Sequence, residues 1–218
     1  MATMQSLKEL QRRASPGARP QPLALFQGAL WVGSWETNAL YAIDPKSWKT
    51  IETVPAPGRP YGIAPLNGAL RVVVSDGGEA DDRYLYRFTP GKGFDESSKT
   101  ACPDFTGSHL ASKEGKLYLG QMHNRRILVL DADDAIVREI QLPTRTGGFG
   151  FGSNDDFYLI AADEEFERLE LATLDLQQPN RITVIAPIEF GARGLTYDGG
   201  TWFTSDREAS QIVSFALN

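Results

Sequence analysis

Five polar residues fall at one register of a recurring pattern. Glu36, Asp76, His123 and Asp163 each stand six residues beyond an aligned apolar position, and Asp206 stands five beyond. Four carboxylates and an imidazole offer hard oxygen donors of the kind that hold Ca2+ or Mg2+, and His123 widens the choice of divalent ion. The metal set would be Glu36, Asp76, Asp163 and Asp206, with His109 or His123 as the general base of a metal-assisted hydrolysis. The same residue types also suit the turns that carry them, because an Asp accepts hydrogen bonds from the backbone just ahead of it. At the level of sequence both readings stand.

A second group is basic and aromatic. Arg19, Arg59, Tyr61, His109, Arg145 and Arg193 precede or open short apolar segments rich in small residues. Convergent guanidinium forks pair bidentately with carboxylate or phosphate. The same arginines also suit exposed ion pairs with acidic turns, each contributing about 0–1 kcal/mol. Trp35, in a polar turn, offers a stacking surface, so Arg19, Trp35, Arg59, Tyr61 and Arg193 form the candidate ligand set. His109 and His123, the only histidines, are the candidate catalytic bases. Cys102, the single cysteine, has no histidine near it in sequence and reads as an inert outer-strand thiol. Gly147-Gly148-Phe149-Gly150 lacks the Lys-Ser/Thr ending of a phosphate loop, and the acidic run 163–167 reads as a solvated loop.

These residues are spaced by a repeat. Gly28-Ala-Leu30-Trp-Val32 recurs as Gly68-Ala-Leu70-Arg-Val72, Gly115-Lys-Leu117-Tyr-Leu119, Asp155-Asp-Phe157-Tyr-Leu159 and Gly199-Gly-Thr201-Trp-Phe203. The aligned positions 30, 70, 117, 157 and 201 give a period near that of a four-stranded propeller blade, about 40–50 residues. A short segment with small residues precedes each copy: Leu23–Leu25, Tyr61–Ala64, His109–Ala111, Phe149–Gly152 and Arg193–Thr196. An alternating apolar strand follows each copy, as in Ala39–Asp44 and Ile127–Asp131, and most copies add a third, as in Lys49–Val54. Small residues suit the inner segment because five strands converge there on one axis. The last copy stops after its third strand, while residues 5–12 resemble a missing outer strand. Joining the two closes the ring and removes an open edge. The expected fold is therefore all-β, a single five-bladed β-propeller over 1–218. Its blades lie near 20–55, 56–103, 104–143, 144–187, and 188–218 completed by 5–12. Trp31 and Trp202 share a repeat position and are expected to pack between blades.

Leu117–Asp131, with its Asn124-Arg-Arg-Ile127 turn and closing Asp131, resembles an NHL-type propeller repeat. Gly194–Ser205 is similar to blades of virginiamycin B lyase-like and gluconolactonase-like propellers. The resemblance implies the propeller superfamily but no single activity. The gluconolactonase-like enzymes use a Glu-Gly-Pro type metal motif, and the five-bladed plant-type glutaminyl cyclases have Glu-Gly-Leu or Asn-Glu-Leu-Glu type signatures; none occurs here. The starts of the inner segments carry Arg19, Arg59, Arg193 and His109 instead.

Composition sets the remaining bounds. The formal charge of −6 and a single cysteine, among 218 residues, argue against a nucleic-acid partner and against an internal disulfide. No apolar stretch is long enough to span a bilayer, and the first twenty residues lack the apolar core of a secretory signal. The expectation is a cytoplasmic protein with no membrane or nucleic-acid partner. It would present a polar loop face and channel mouth to a small polar molecule or a protein. The alternative is a lactonase- or hydrolase-like enzyme with a divalent cation such as Ca2+ at that mouth.

Overall fold

Tight hairpins set the scaffold. Gln27-Gly28, Asn67-Gly68 and Glu114-Gly115 carry φ of +50/+78°, +50/+77° and +51/+72°. Positive φ at both central residues is the signature of a type I′ turn, whose twist matches that of the strands it joins, and glycine takes the second place without strain. In the computed structural model, which describes residues 7–217, these hairpins lie within five antiparallel, four-stranded sheets.

Blade 1 contains β2 (Pro20–Phe26), β3 (Ala29–Ser34), β4 (Ala39–Ile43) and β5 (Thr50–Pro55), from axis to rim. Blade 2 contains β6 (Arg59–Leu66), β7 (Ala69–Ser75), β8 (Arg83–Thr89) and β9 (Gly93–Ala101). In blade 3 the order is β10 (His109–Lys113), β11 (Lys116–Gln121), β12 (Arg126–Leu130), β13 (Ile136–Gln141). Blade 4 is built from β14 (Arg145–Phe151), β15 (Phe157–Ala162), β16 (Leu169–Leu174) and β17 (Ile182–Ile188). Blade 5 takes β18 (Ala192–Tyr197), β19 (Trp202–Asp206) and β20 (Gln211–Leu217) from the end of the chain, and β1 (Leu7–Ala14) from its start. The inner strands neighbour one another in the cyclic order β2, β6, β10, β14, β18 and back to β2. The chain is a five-bladed β-propeller.

β1 pairs antiparallel with β20, from Leu7 opposite Leu217 to Ala14 opposite Gln211, with a bulge between Glu9 and Gln11. The outer strand expected at 5–12 is thus found at 7–14; residues 5 and 6 lie outside the described residues. Arg12 of β1 reaches Asp206 of β19 at 2.7 Å and lies 4.7 Å over the Phe190 ring, so the closing strand is locked to its own blade and to the end of blade 4.

The core is five seams between blades. Each middle strand is buried on both faces, one set of side chains meeting the blade before and the other the blade after. In β7, Leu70, Val72 and Val74 pack toward blade 1, whereas Val73 packs toward blade 3. Trp31 meets Phe88 of blade 2 edge-on at 5.0 Å and Trp202 meets Tyr158 of blade 4 at 4.7 Å, as their shared repeat position anticipates. Among the described residues, the seam between blades 5 and 1 is the thinnest, with six buried apolar residues where the others have nine to eleven. Cys102 lies just past β9, not within an outer strand, and is buried against blade 3.

Candidate functional site at the upper mouth of the ring

The inner strands begin, and the second-to-third strand turns lie, at one end of the axis, here called the upper mouth. Four of the five inner strands break register there. Irregularities fall between Pro20 and Leu23 in β2, Pro60 and Gly62 in β6, Thr146 and Gly148 in β14, and Arg193 and Thr196 in β18. β10 alone runs regularly from His109 opposite Gly120 to Lys113 opposite Lys116. A bulge adds a residue and re-aims the side chains beside it.

This difference shapes the axis. At the layer where blade 3 presents His109, the other blades present Pro22, Gly62, Gly148 and Gly194. Strands approach too closely there for larger residues. A Cβ on Gly148 would lie 2.8 Å from Gly194, and one on Gly194, whose φ is +66°, would lie 2.5 Å from the Gln21 carbonyl oxygen. A void of about 10 Å³ remains at this level, lined by Pro22, Gly62, His109, Phe149 and Gly194 among others.

His109 is 3% exposed, and its ring meets Phe149 edge-on at 6.2 Å. Burial, followed by the charges of Arg193, Arg83 and Arg207, holds its pKa down to about 3, so the imidazole is neutral across the physiological range. Those three arginines come from two elements of blade 5 and one of blade 2. Arg193 sits on the β18 bulge, whose carbonyl accepts hydrogen bonds from Ser205 and, at 3.3 Å, from Thr204. Its pKa is lowered to about 10 by burial and by Arg207, which leaves it a cation at neutral pH. Among the described residues it has no carboxylate partner; it donates to the Ala192 carbonyl oxygen at 2.7 Å and lies 4.5 Å over the Phe166 ring.

A stacked ladder forms the wall. Arg207 lies 4.8 Å over Trp35, Trp35 meets Tyr61 at 4.5 Å, and Arg83 lies 3.8 Å over Tyr61. Trp35 Nε1 donates to the Pro60 carbonyl oxygen at 2.8 Å, and Arg83 Nη1 to that of Gly107 at 2.7 Å. The ladder therefore links blades 5, 1, 2 and 3, and it crosses the thinnest seam. Asp81 anchors its far end, receiving Tyr61 Oη at 3.1 Å, Arg83 Nη2 at 2.8 Å and the Ser75 hydroxyl. Burial raises the Asp81 pKa, but the hydrogen bonds from Ser75 and Arg83 prevail and hold it below the usual carboxylate range.

No family model matches the chain, and no curated protein matches its sequence. Solved structures do match its shape. Glutaminyl cyclase of Myxococcus xanthus superposes with a TM-score of 0.74 at 14% identity, covering 98% of this chain and 97% of that one. The PQQ-bound aldose sugar dehydrogenase of Streptomyces coelicolor gives 0.65 at 16% identity over 98% and 82% of the two chains. Virginiamycin B lyase of Staphylococcus aureus with quinupristin gives 0.59 at 15% identity over 94% and 82%. The likeness is one of fold. The activities in those names belong to those three proteins, and what they share with this chain is the propeller architecture.

The propeller brings together only part of the sequence-predicted set. Tyr61, His109 and Arg193 converge at the mouth. Trp35 joins them, but it is half-buried and held between Tyr61 and Arg207, so it is a wall and not the open platform expected. Arg19 and Arg59 are exposed at the starts of their blades; Arg59 bears on the Tyr61 hydroxyl, and neither is among the charges that act on His109. Arg145 is taken by Glu164, at 2.8 Å from its carboxylate and 2.6 Å from its carbonyl oxygen. Arg83 and Arg207 were not expected from the repeat. Arg207 lies in the second-to-third strand turn of blade 5 and Arg83 directly follows that of blade 2, the turns that the acidic register had already marked.

That acidic register does not form a centre. Among the described residues no three His, Cys, Asp or Glu side chains gather to hold a metal. Asp163 accepts from the backbone N–H groups of Glu167 and Arg168 at 2.9 and 3.2 Å, and Asp76 from Gly78 at 3.0 Å. Asp206 is buried as the partner of Arg12. Glu36 and His123 are exposed on their turns. Each carboxylate with a partner serves its own turn or the ring closure, because the turns stand a strand away from the axis. Cys102 is equally unsuited to attack, since burial pushes its thiol up to about 12.

Proposed function

We propose that the protein is a binding propeller whose upper mouth takes a small organic anion. The observation that carries this reading is the set of three guanidinium groups at one mouth, two of them stacked on the Trp35–Tyr61 wall and all three bearing on a buried imidazole, in an acidic protein. Only Arg83 has a partly buried counter-ion, Asp81; Arg207 has exposed Glu208 at 3.2 Å, and Arg193 makes no ion pair among the described residues, feeling the same Glu208 only at longer range. An unpaired, half-desolvated guanidinium raises the free energy of the empty site, and a carboxylate or phosphate oxygen would complete it. The widest cavities, about 630 and 460 Å³, open on the rim between blades and do not share this convergence of charge. A metal-assisted hydrolase finds less support, because Asp76 and Asp163 serve their own turns, Asp206 pairs with Arg12 and Glu36 stands exposed apart from them.

Titration calorimetry with short carboxylates, inorganic phosphate and uncharged analogues tests the proposal. The anions should bind, and Arg193→Ala should weaken them by about 10- to 100-fold, the worth of one hydrogen bond to a charged group. Preference between the carboxylates and phosphate identifies the anion. Equal binding of the uncharged analogues, or an unchanged affinity in Arg193→Ala, would overturn it.

A further inference from the structure

The side chain of His109 takes no part in the hydrogen bonding that holds the blades together. It is buried, neutral and placed on the axis, yet among the described residues none hydrogen-bonds its ring. The ring nitrogens are not among the fully enclosed side-chain atoms left without a partner, so they keep contact with solvent and stay open to a partner from outside the fold. The surrounding backbone is arranged to present it. Four inner strands bulge and offer glycine or proline at this layer, and the strand that carries His109 stays regular. The imidazole is therefore the side chain that blade 3 adds where the other blades present glycine or proline, within reach of the charges of Arg193 and Arg207. Buried Gln21, whose Oε1 accepts from Arg207 Nη1 at 3.4 Å, is a polar neighbour of the same mouth.

We propose that His109 is the specificity-determining residue of this site, hydrogen-bonding an uncharged hydroxyl group of a ligand whose carboxylate rests on the arginines. The inference depends on the anion-binding reading above and names its ligand class, the hydroxycarboxylates. A neutral imidazole has one N–H donor and one nitrogen acceptor, which together match a hydroxyl. An ammonium group in the same place would face Arg83, Arg193 and Arg207, with Asp81 already committed to Arg83, Tyr61 and Ser75. The site thus selects 2-hydroxy acids over unsubstituted acids, which leave the imidazole unpaired, and over amino acids, which place like charges together. A pocket built to hydrogen-bond a hydroxyl discriminates strongly against the analogue that lacks it.

The test uses matched pairs of 2-hydroxy and unsubstituted carboxylates of three to six carbons, with the corresponding amino acids, measured by ligand-observed NMR and calorimetry. The native protein should bind each hydroxy acid at least tenfold more tightly than its unsubstituted partner, and the amino acid most weakly. His109→Phe, which keeps the ring contact with Phe149, should reduce the preference to about onefold with little change for the unsubstituted acid. His109→Gln should restore part of it. Saturation with a hydroxy acid should also shift the His109 ring nitrogen resonances of the native protein, a readout that needs no variant. Carboxylate binding without discrimination, or a preference that survives His109→Phe, overturns the role of His109 alone. Failure of every carboxylate to bind overturns the anion site and this inference with it.

Discussion

The two mouths of the ring are made by the same five inner strands and share almost no chemistry. The lower mouth is a cavity of about 170 Å³ lined mainly by apolar side chains such as Leu25, Pro65 and Phe151, with Ser112, Thr196 and Tyr197 as its polar members. It ends in tight hairpins that leave the chain little freedom. The upper mouth carries arginines, a buried histidine and four register breaks, and its connections vary in length from blade to blade. The lower half lowers the free energy of the fold through close packing; the upper half raises it through desolvated charge and an unpartnered ring. Such division is expected where a rigid scaffold positions a binding site on loops.

Both halves require a closed ring, which gives the largest predicted effect. Removing residues 1–14 takes away β1, its ladder with β20 and the Arg12–Asp206 pair, and leaves blade 5 with an open edge beside the thinnest seam. Cooperative unfolding followed by circular dichroism should be lost, or its midpoint should fall by more than about 15 °C, since each kcal/mol shifts a domain of this size by about 2–4 °C. A truncated chain that melts like the full one would detach the closure from the stability of either mouth.

The next effect separates the halves. Phe88 is fully buried in the lower part of the seam between blades 1 and 2, 5.0 Å from both Trp31 and Phe94. Phe88→Ala should cost about 3–5 kcal/mol in urea denaturation, through lost burial and the cavity left behind. Its anion affinity per folded molecule should match that of the native protein in calorimetry. A parallel loss of affinity would show that the two mouths are not separable.

The unequal legibility of the two halves has the same physical origin. Hairpin glycines, period-2 alternation and the doubly apolar strands are local, so the five blades and the closing strand are readable from residues such as Gly28, Leu70 and Leu117. β9 is less so, because Gly93–Ala101 is an edge strand whose side chains are largely exposed and do not alternate, so the outer strand expected around Cys102 ends just before it. At the upper mouth, Tyr61, His109 and Arg193 were visible as strand-opening residues. Arg83 and Arg207 were not, because only the ring geometry stacks them on Tyr61 and Trp35. The acidic register misled for a related reason. Repeat position fixes the turn that a carboxylate occupies but not its partner, and Asp206 found Arg12, 194 residues away. The bulges left little trace beyond Gly147-Gly148, since a shift of one residue alters pairing without altering composition.

The smallest of these effects probes the cost of the upper mouth directly. The His109 pKa is about 3 in the folded protein and about 6.5 in an unfolded chain. Below pH 6.5 the unfolded chain takes up a proton that the folded state refuses, so stability is intact above that pH and falls as the pH descends toward 3. Between pH 7 and pH 5 the loss from this one group should be about 2 kcal/mol, read from urea midpoints. Asp81 loses its contribution only as the pH falls through the carboxylate range, below this window. His123 is shifted in the same direction, by burial and then by Arg145 and Arg83, so it is the group to control for. His109→Phe should flatten the pH dependence between 7 and 5, whereas His123→Phe should leave most of it in place. A ligand that partners the neutral ring binds the folded state alone, so it should stabilise the protein most above pH 6.5. The sensitivity to acid and the capacity to bind would then be two consequences of the same buried imidazole.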